Sequence, residues 1–284
     1  MMKEFLKQFS SFVSKYGLEV SKVFDDFLQY IIWAHTLPEY GKKIEGWGYA
    51  PSQSKEMYDM YCTLILAVKP EINYRGWFDA FGFIYEDMIA GKFRRSNSGQ
   101  FFTPPSICDL MTDINAPKEQ RIVGKTISDP TCGSGRNLLA FHAKHFGNYY
   151  VAEDIDRTCC MMTVCNFIIH GVEGEVIWHN SLQPDTFYGG WKTNGQLNSL
   201  FSKYRGIPHV REISYDDTLL KKINDKSTEV FRIRGKLSEA YKKQFAALSA
   251  VRSSKTTSEN RKQQITAITK RMSNIKKLMK KYEK

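Results

Sequence analysis

The sequence predicts an α/β fold in which a short parallel sheet lies between a helical domain and a helical extension, and three observations carry the prediction. Apolar residues recur at helical spacing through about the first 90 positions. Short strand-like runs alternate with helical stretches through the middle of the chain, the pattern of a parallel sheet with crossover helices. From Thr218 onward there is no Pro and one Gly, and the chain ends in a heptad seam.

In the first region Phe5, Phe9, Phe12 and Val13 recur at spacings of three and four, and the stretches Val20 to Trp33 and Met57 to Val68 behave alike. These predict a helical domain over residues 1–95. Thr63, Ile65 and Val68 add β-branched content that loosens its boundaries. Aromatics such as Trp33 and Trp77 are assigned to its core.

Residues 96–217 are predicted to hold the sheet. Its strands are Thr126 to Ser128, Tyr149 to Ala152 and Glu175 to Trp178, joined by helices Arg136 to His145 and Arg157 to His170, with Gly171 as the cap of the second. The segment from 183 to 217 contains Gly189, Gly190, Gly195 and Gly206 and is predicted irregular, except for a strand-like run at Val210 to Ser214.

The extension, residues 218–284, carries a seam of Ile265, Ile268, Met272, Ile275, Met279 and Tyr282. Such a seam needs a partner helix. Val230, Ile233, Leu237, Tyr241, Phe245 and Leu248 supply one if the chain turns within Ser253 to Asn260, giving a helical hairpin. A homo-oligomeric coiled coil through the same stripe is the competing arrangement.

The net charge of +11 is localised: the extension holds 19 Lys and Arg against 5 Asp and Glu, whereas the first 217 residues hold 22 against 25. A slightly acidic body with a basic tail predicts a polyanionic partner for the tail. The candidate nucleic-acid contacts are Lys242, Lys243, Arg261, Lys262, Lys276, Lys277, Lys280 and Lys281. A helix that carries lysines only for solubility is the alternative.

At 42% apolar and 13% aromatic content, the chain is expected to bury a sizeable core. The six cysteines form no CxxC pair and have no histidine at zinc-finger spacing, so they are read as reduced, mostly buried residues and no metal is expected. No secretory leader and no apolar run of about 18 residues is read, which predicts a cytoplasmic protein away from membranes.

The most specific local feature is Asp129-Pro130-Thr131-Cys132-Gly133-Ser134-Gly135-Arg136, set between a predicted strand and a predicted helix. At this edge of a parallel sheet, glycines let backbone approach a ligand closely and a helix N-terminus offers free N–H donors. A second acid follows the next strand in Glu153-Asp154-Ile155-Asp156, where a carboxylate accepts from ribose hydroxyls. The third strand runs into Asn180-Ser181-Leu182.

With Gly99-Gln100-Phe101-Phe102-Thr103-Pro104 ahead of them, these segments resemble, in order and spacing, the N6-adenine DNA methyltransferases, especially the modification subunits of type I restriction systems. The resemblance implies a Rossmann-like sheet that binds S-adenosylmethionine, and site-specific DNA modification. It implies that Phe102, Thr103 and Pro104 close over the methionine end of the cofactor. Asp129, Pro130, Cys132, Gly133 and Gly135 would underlie its methionyl and ribose parts. Asp154, where the family usually has Glu, would hold the ribose, and Ile155 would pack on the adenine. Asn180 stands where the family usually has Asp, and with Leu182 it would complete the adenine site.

The family's catalytic motif, Asn or Asp followed by Pro-Pro and an aromatic residue, holds the target amino group in line with the methyl group. The chain's one Pro-Pro, Pro104-Pro105, belongs to the earlier segment, and nothing between Gln183 and Asp217 reads as the motif. No catalytic residue is therefore assigned. Two classes stay open: an enzyme completed by a surrogate site or by a catalytic or specificity partner subunit, and a silent module that binds cofactor or DNA within a modification or mobile-element complex.

Overall fold

The computed structural model describes residues 2–40, 44, 47–90, 102–116, 120–183, 185–197, 205–253 and 258–281. The chain divides into two compact units, Met1–Tyr215 and Asp216–Lys284. The expected boundary between residues 95 and 96 lies outside the described residues.

The first unit opens with α1 (Met2–Tyr16), α2 (Val20–Ala34) and α3 (Pro51–Arg75). Helix α1 buries the stripe Phe5, Phe9, Phe12 and Val13. Helix α2 starts where the Glu19 carboxylate accepts from the Lys22 N–H at 2.8 Å. Helix α3 begins on Pro51, whose missing N–H costs nothing there, and stops at Gly76, whose φ of 89° only glycine adopts freely. The Phe27 ring lies 5.9 Å from Phe5 and 6.1 Å from Phe9. Burial of each such ring contributes roughly 1.5–3 kcal/mol. Trp77 is buried as expected, but Trp33 is not: it is 45% exposed and stands beside a cavity. Its helical spacing placed it correctly on α2 and misread the depth of its face.

The short helix α4 (Ala80–Ile84) is capped by Asp79 and continues as a π-helical turn, Tyr85–Ala90. Helix α5 (Pro105–Asn115) leads to β1 (Thr126–Asp129), and the chain then alternates through α6 (Arg136–Lys144), β2 (Tyr149–Asp154), α7 (Arg157–His170) and β3 (Gly174–Trp178). The three strands are parallel in the order β1-β2-β3. Right-handed crossovers that advance in one direction put α6 and α7 on the same face of the sheet. Gly171 caps α7 with φ 66°. Helix α6 stops one residue short of His145.

The expectation of an irregular 183–217 segment fails at β4 (Gly189–Thr193), which pairs antiparallel with β3 and is followed by β5 (Val210–Glu212), two residues shorter than expected. The glycines that read as loop have a packing role in the ladder. A Cβ on Gly190 would lie 3.1 Å from the Val176 carbonyl oxygen, and one on Gly189 would touch the Trp178 ring. Strand β5 also bonds to the helices, through Val210 N–H to the His35 carbonyl at 2.9 Å. Helices and sheet share one core, running from Phe5 to Val210.

The second unit is a helical hairpin, α8 (Leu219–Ser253) packed on α9 (Ser258–Lys281). Leu248 and Ile268 are buried between them, and Ile265, Met272, Ile275 and Met279 are half-buried. Phe245, assigned to the seam, is 57% exposed. Over α8 the stripe steps through Tyr241, Gln244 and Leu248, which rotates Phe245 outward. Tyr282 and the turn residues 254–257 lie outside the described residues. No described helix is long and apolar enough to cross a membrane.

The core has a titrating member in His142, whose ring meets the edge of Tyr150 at 5.3 Å. Burial, aided by the neighbouring His170, pushes its imidazole down to about 4. The unfolded chain therefore binds the proton first, and stability present above about pH 6.5 is lost as pH falls toward 4. Over that window His142 accounts for a loss on the order of 3 kcal/mol. Urea unfolding at pH 7 and pH 4.5 of the protein and of His142→Gln checks this: the difference between the two pH values shrinks in the variant, and an unchanged difference contradicts the assignment.

Candidate functional site

The carboxyl ends of β1 and β2 and the first turns of α6 and α7 converge on a cavity of about 180 Å³. The loop after β1 is built by local bonds. Asp129 accepts from the Thr131 N–H at 3.1 Å, the Cys132 N–H reaches the Glu153 carbonyl at 2.9 Å, and the Gly135 N–H reaches the Cys132 carbonyl at 2.8 Å. Gly133 and Gly135 have φ of 55° and 81°. A Cβ on Gly133 would lie 3.0 Å from the Phe102 ring, and one on Gly135 would lie 2.9 Å from the Thr163 methyl. Both positions therefore require glycine for conformation and for space.

Asp154 braces the loop from β2. One carboxylate oxygen accepts from the Gly133 N–H at 2.9 Å and the other from the Asp156 N–H at 2.9 Å. Each keeps a second lone pair for a ligand hydroxyl. Asp156 caps α7 by accepting from the Cys159 N–H at 3.1 Å. Burial pushes the Cys132 and Cys159 thiols well above their ordinary range, which keeps them protonated and unsuited to nucleophilic or metal chemistry.

Behind the loop lies a buried ion pair. Arg136 Nε donates to Asp79 at 2.7 Å, with side chains 6% and 2% exposed. The same guanidinium donates to the Thr103 carbonyl at 2.9 Å and to Glu86 at 3.1 Å, and sits 5.5 Å from the Phe102 ring centre. Burial acts to lower the Arg136 pKa, but the charge of Asp79 and the bonds to Glu86 and Asp79 outweigh it and hold it above its ordinary value. Asp79 also accepts from Ser134 at 2.5 Å, from Asn166 at 2.7 Å and from the Gly82 N–H at 2.8 Å. A Cβ on Gly82 would overlap the Asp79 carboxylate, so the cap and the loop anchor need glycine there.

Of the residues named from sequence, Phe102, Thr103, Cys132, Gly133 and Asp154 line the cavity. Pro104, Asp129, Pro130 and Gly135 belong to its supporting segments without lining it. Ile155 and Leu182 stand on open surface, 63% and 90% exposed, and the Asn180 carboxamide oxygen accepts from the Leu182 N–H at 3.1 Å. Gly99, Gln100 and Phe101 lie outside the described residues. Sequence reasoning missed Thr131, Ser134, Arg136, Asn137 and Cys159, all of which line the cavity. Their signal was position, since the first turn of a helix that follows such a loop faces the ligand side. Asp79 carried no local signal beyond its capping spacing to Gly82.

On the tail, Lys242, Lys243, Lys262, Lys276, Lys277, Lys280 and Lys281 are all exposed, and the Lys276 ammonium lies 5.6 Å from the Tyr241 ring centre. The Arg261 side chain lies outside the described residues.

Residues 77–203 match the family model of the N-6 DNA Methylases. The chain is similar to the type I restriction enzyme MjaIX methylase subunit of Methanocaldococcus jannaschii, with 32% identity over 121 residues, covering 38% of this chain and 20% of that protein. It is similar to the type I restriction enzyme EcoEI methylase subunit of Escherichia coli, with 28% identity over 110 residues, covering 34% of this chain and 21% of that protein. The chain thus spans about a fifth of the length of these curated relatives. No solved structure matches it. The resemblance read from the motifs is borne out by the family match and by both relatives.

Proposed function

We propose that the first unit has a Rossmann-like sheet that binds S-adenosylmethionine and serves N6-adenine modification of DNA at specific sites, with the basic tail holding nucleic acid. The carrying observation is the meeting of Phe102 and Thr103, the glycine loop and Asp154 around one cavity. The residues present fit the methionyl and ribose end of that cofactor. Thr103 and Thr131 offer hydroxyls, the first turn of α6 offers N–H donors, and Asp154 has lone pairs for ribose hydroxyls. At about 180 Å³ the cavity is smaller than the roughly 300–1,000 Å³ of whole ligand pockets, so it takes part of the ligand and leaves the adenine to the open surface by Ile155 and Leu182. When bound, the cofactor supplies an electrophilic methyl group; this chain's residues bind and orient it.

A second reading, in which methyl transfer needs a partner subunit or is absent, is favoured by the topology. Strands β4 and β5 extend the sheet beyond β3, away from the glycine loop, while β1 pairs with β2 alone among the described residues. A ligand site in such a sheet ordinarily lies where strands diverge on both sides of it. No segment between Gln183 and Asp217 reads as the clamp for the adenine amino group.

Isothermal titration with S-adenosylmethionine and S-adenosylhomocysteine, beside transfer of tritiated methyl groups to adenine-containing DNA, tests both readings. Binding is expected, lost in Gly135→Val, with transfer at the level of a heat-treated control. Absence of binding overturns the cofactor reading, and robust N6-methyladenine formation by the chain alone overturns the second.

A further inference from the structure

The helical domain contains a cavity of about 610 Å³ that shares no lining residue with the pocket at the glycine loop. Its walls include Tyr30, Trp33, Trp47 and Tyr58, with Ser54 and Lys55 as polar members. Tyr30 and Trp47 stack at 25° with ring centres 5.9 Å apart, and Trp47 is held by its Nε1–H donating to Ser54 Oγ at 3.1 Å. Trp33 and Tyr58 are 45% and 55% exposed. One exposed aromatic is ordinary, but two of them beside the buried Tyr30 and the half-buried Trp47 around a single concave volume leave ring faces available to a ligand.

Charge selects the class of ligand. The described lining carries Lys55 and no carboxylate. The partner of Lys55 is Asp59 at 3.0 Å, with side chains 76% and 55% exposed. A surface pair of this kind holds its members weakly, so the ammonium exchanges readily onto another anion. A cationic guest of the kind aromatic cages take would meet the Lys55 ammonium, with no carboxylate among the described lining residues to receive it. A flat ring that carries an anionic group satisfies both features. We propose that this cavity binds a nucleotide, its base stacked on Trp33 and Tyr58 and its phosphate at Lys55. The inference does not depend on the methyltransferase reading.

The test is equilibrium dialysis of the full chain with thymidine 5′-monophosphate, whose pyrimidine is foreign to an adenosyl pocket, against inorganic phosphate as the charge-only control. Saturable binding of the nucleotide is expected and none of comparable strength for phosphate. Trp33→Ala and Tyr58→Ala each weaken it by about 5-fold to 150-fold, the range for loss of one stacked base, and Trp33→Phe retains most of it. Lys55→Ala weakens the nucleotide and leaves thymidine unaffected. A repeat with an oligothymidylate at about 1 M salt, where the screening length is about 3 Å and tail contacts are suppressed, separates the two sources of the ligand. Trp33-dependent binding tighter than the mononucleotide's assigns an unpaired base within a strand, and equal binding assigns a free nucleotide. No binding of either probe, or binding that all three alanine variants leave unchanged, overturns the proposal.

Discussion

Asp79→Ala is expected to lower the unfolding free energy by about 3–5 kcal/mol, the cost of leaving one member of a buried ion pair without its partner. Four donors converge on this carboxylate: Arg136 Nε, Ser134 Oγ, Asn166 Nδ2 and the Gly82 N–H. Arg136 is 5% exposed, so water cannot replace the lost acceptor, and Glu86 reaches the guanidinium through Nη2 alone. The cost is therefore far above that of an exposed pair such as Lys55 with Asp59. Arg136→Met should cost a similar amount. Because the two changes remove one interaction twice, the double variant should cost less than the sum of the singles. Urea denaturation of the four proteins measures the coupling; additive costs would show that the pair is not a unit. The network also spans 57 positions of sequence, from the α4 cap to the first turn of α6, and fixes the Thr103 carbonyl. Cofactor affinity should fall with stability in both singles.

The parts of this architecture that were legible in the sequence are those fixed by local chemistry. Thr126 to Ser128, Tyr149 to Ala152 and Glu175 to Trp178 read as strands because each is a short β-prone run closed by turn residues, and the structure extends them by a residue or two. Asp129 to Gly135 read as a ligand loop because a carboxylate and a proline precede the glycine pair between strand and helix, whereas the glycine spacing alone occurs in many ordinary turns. The structure gives those glycines a second reason in the Phe102 ring and the Thr163 methyl. What stayed hidden depends on distant partners. Strand β4 is invisible in Gly189-Gly190 until Trp178 and Ile177 are placed across from them. Arg136 reads as an ordinary helix-start residue until Asp79 comes beneath it. Trp33 lies on the helix that its spacing predicts, yet spacing alone does not say whether a face is covered.

Replacing Lys242, Lys243, Lys262, Lys276, Lys277, Lys280 and Lys281 together by Gln should remove most of the affinity for duplex DNA while leaving cofactor binding unchanged. These lysines are exposed on two helices whose apolar residues turn toward each other, so the seam's burial leaves the charges directed at solvent. In α9, Lys276 and Lys280, and likewise Lys277 and Lys281, are four residues apart and stand on adjacent turns of one side. Each phosphate neutralised releases counterions, giving a slope of about −0.9 in the double-logarithmic salt plot. If six or seven of the lysines engage, affinity falls by on the order of 10³-fold or more between about 50 and 200 mM salt. Base composition should matter little, since an ammonium on a flexible stem reads charge rather than base edges. The seam is untouched by these substitutions, so the hairpin should keep its helicity by circular dichroism, which separates lost contacts from a lost fold. Fluorescence anisotropy of a labelled duplex over that salt range gives the slope for both proteins. A variant that stays helical and binds with the parent's slope would place the DNA contact on the first unit and leave the tail's charge to a partner or to solvation.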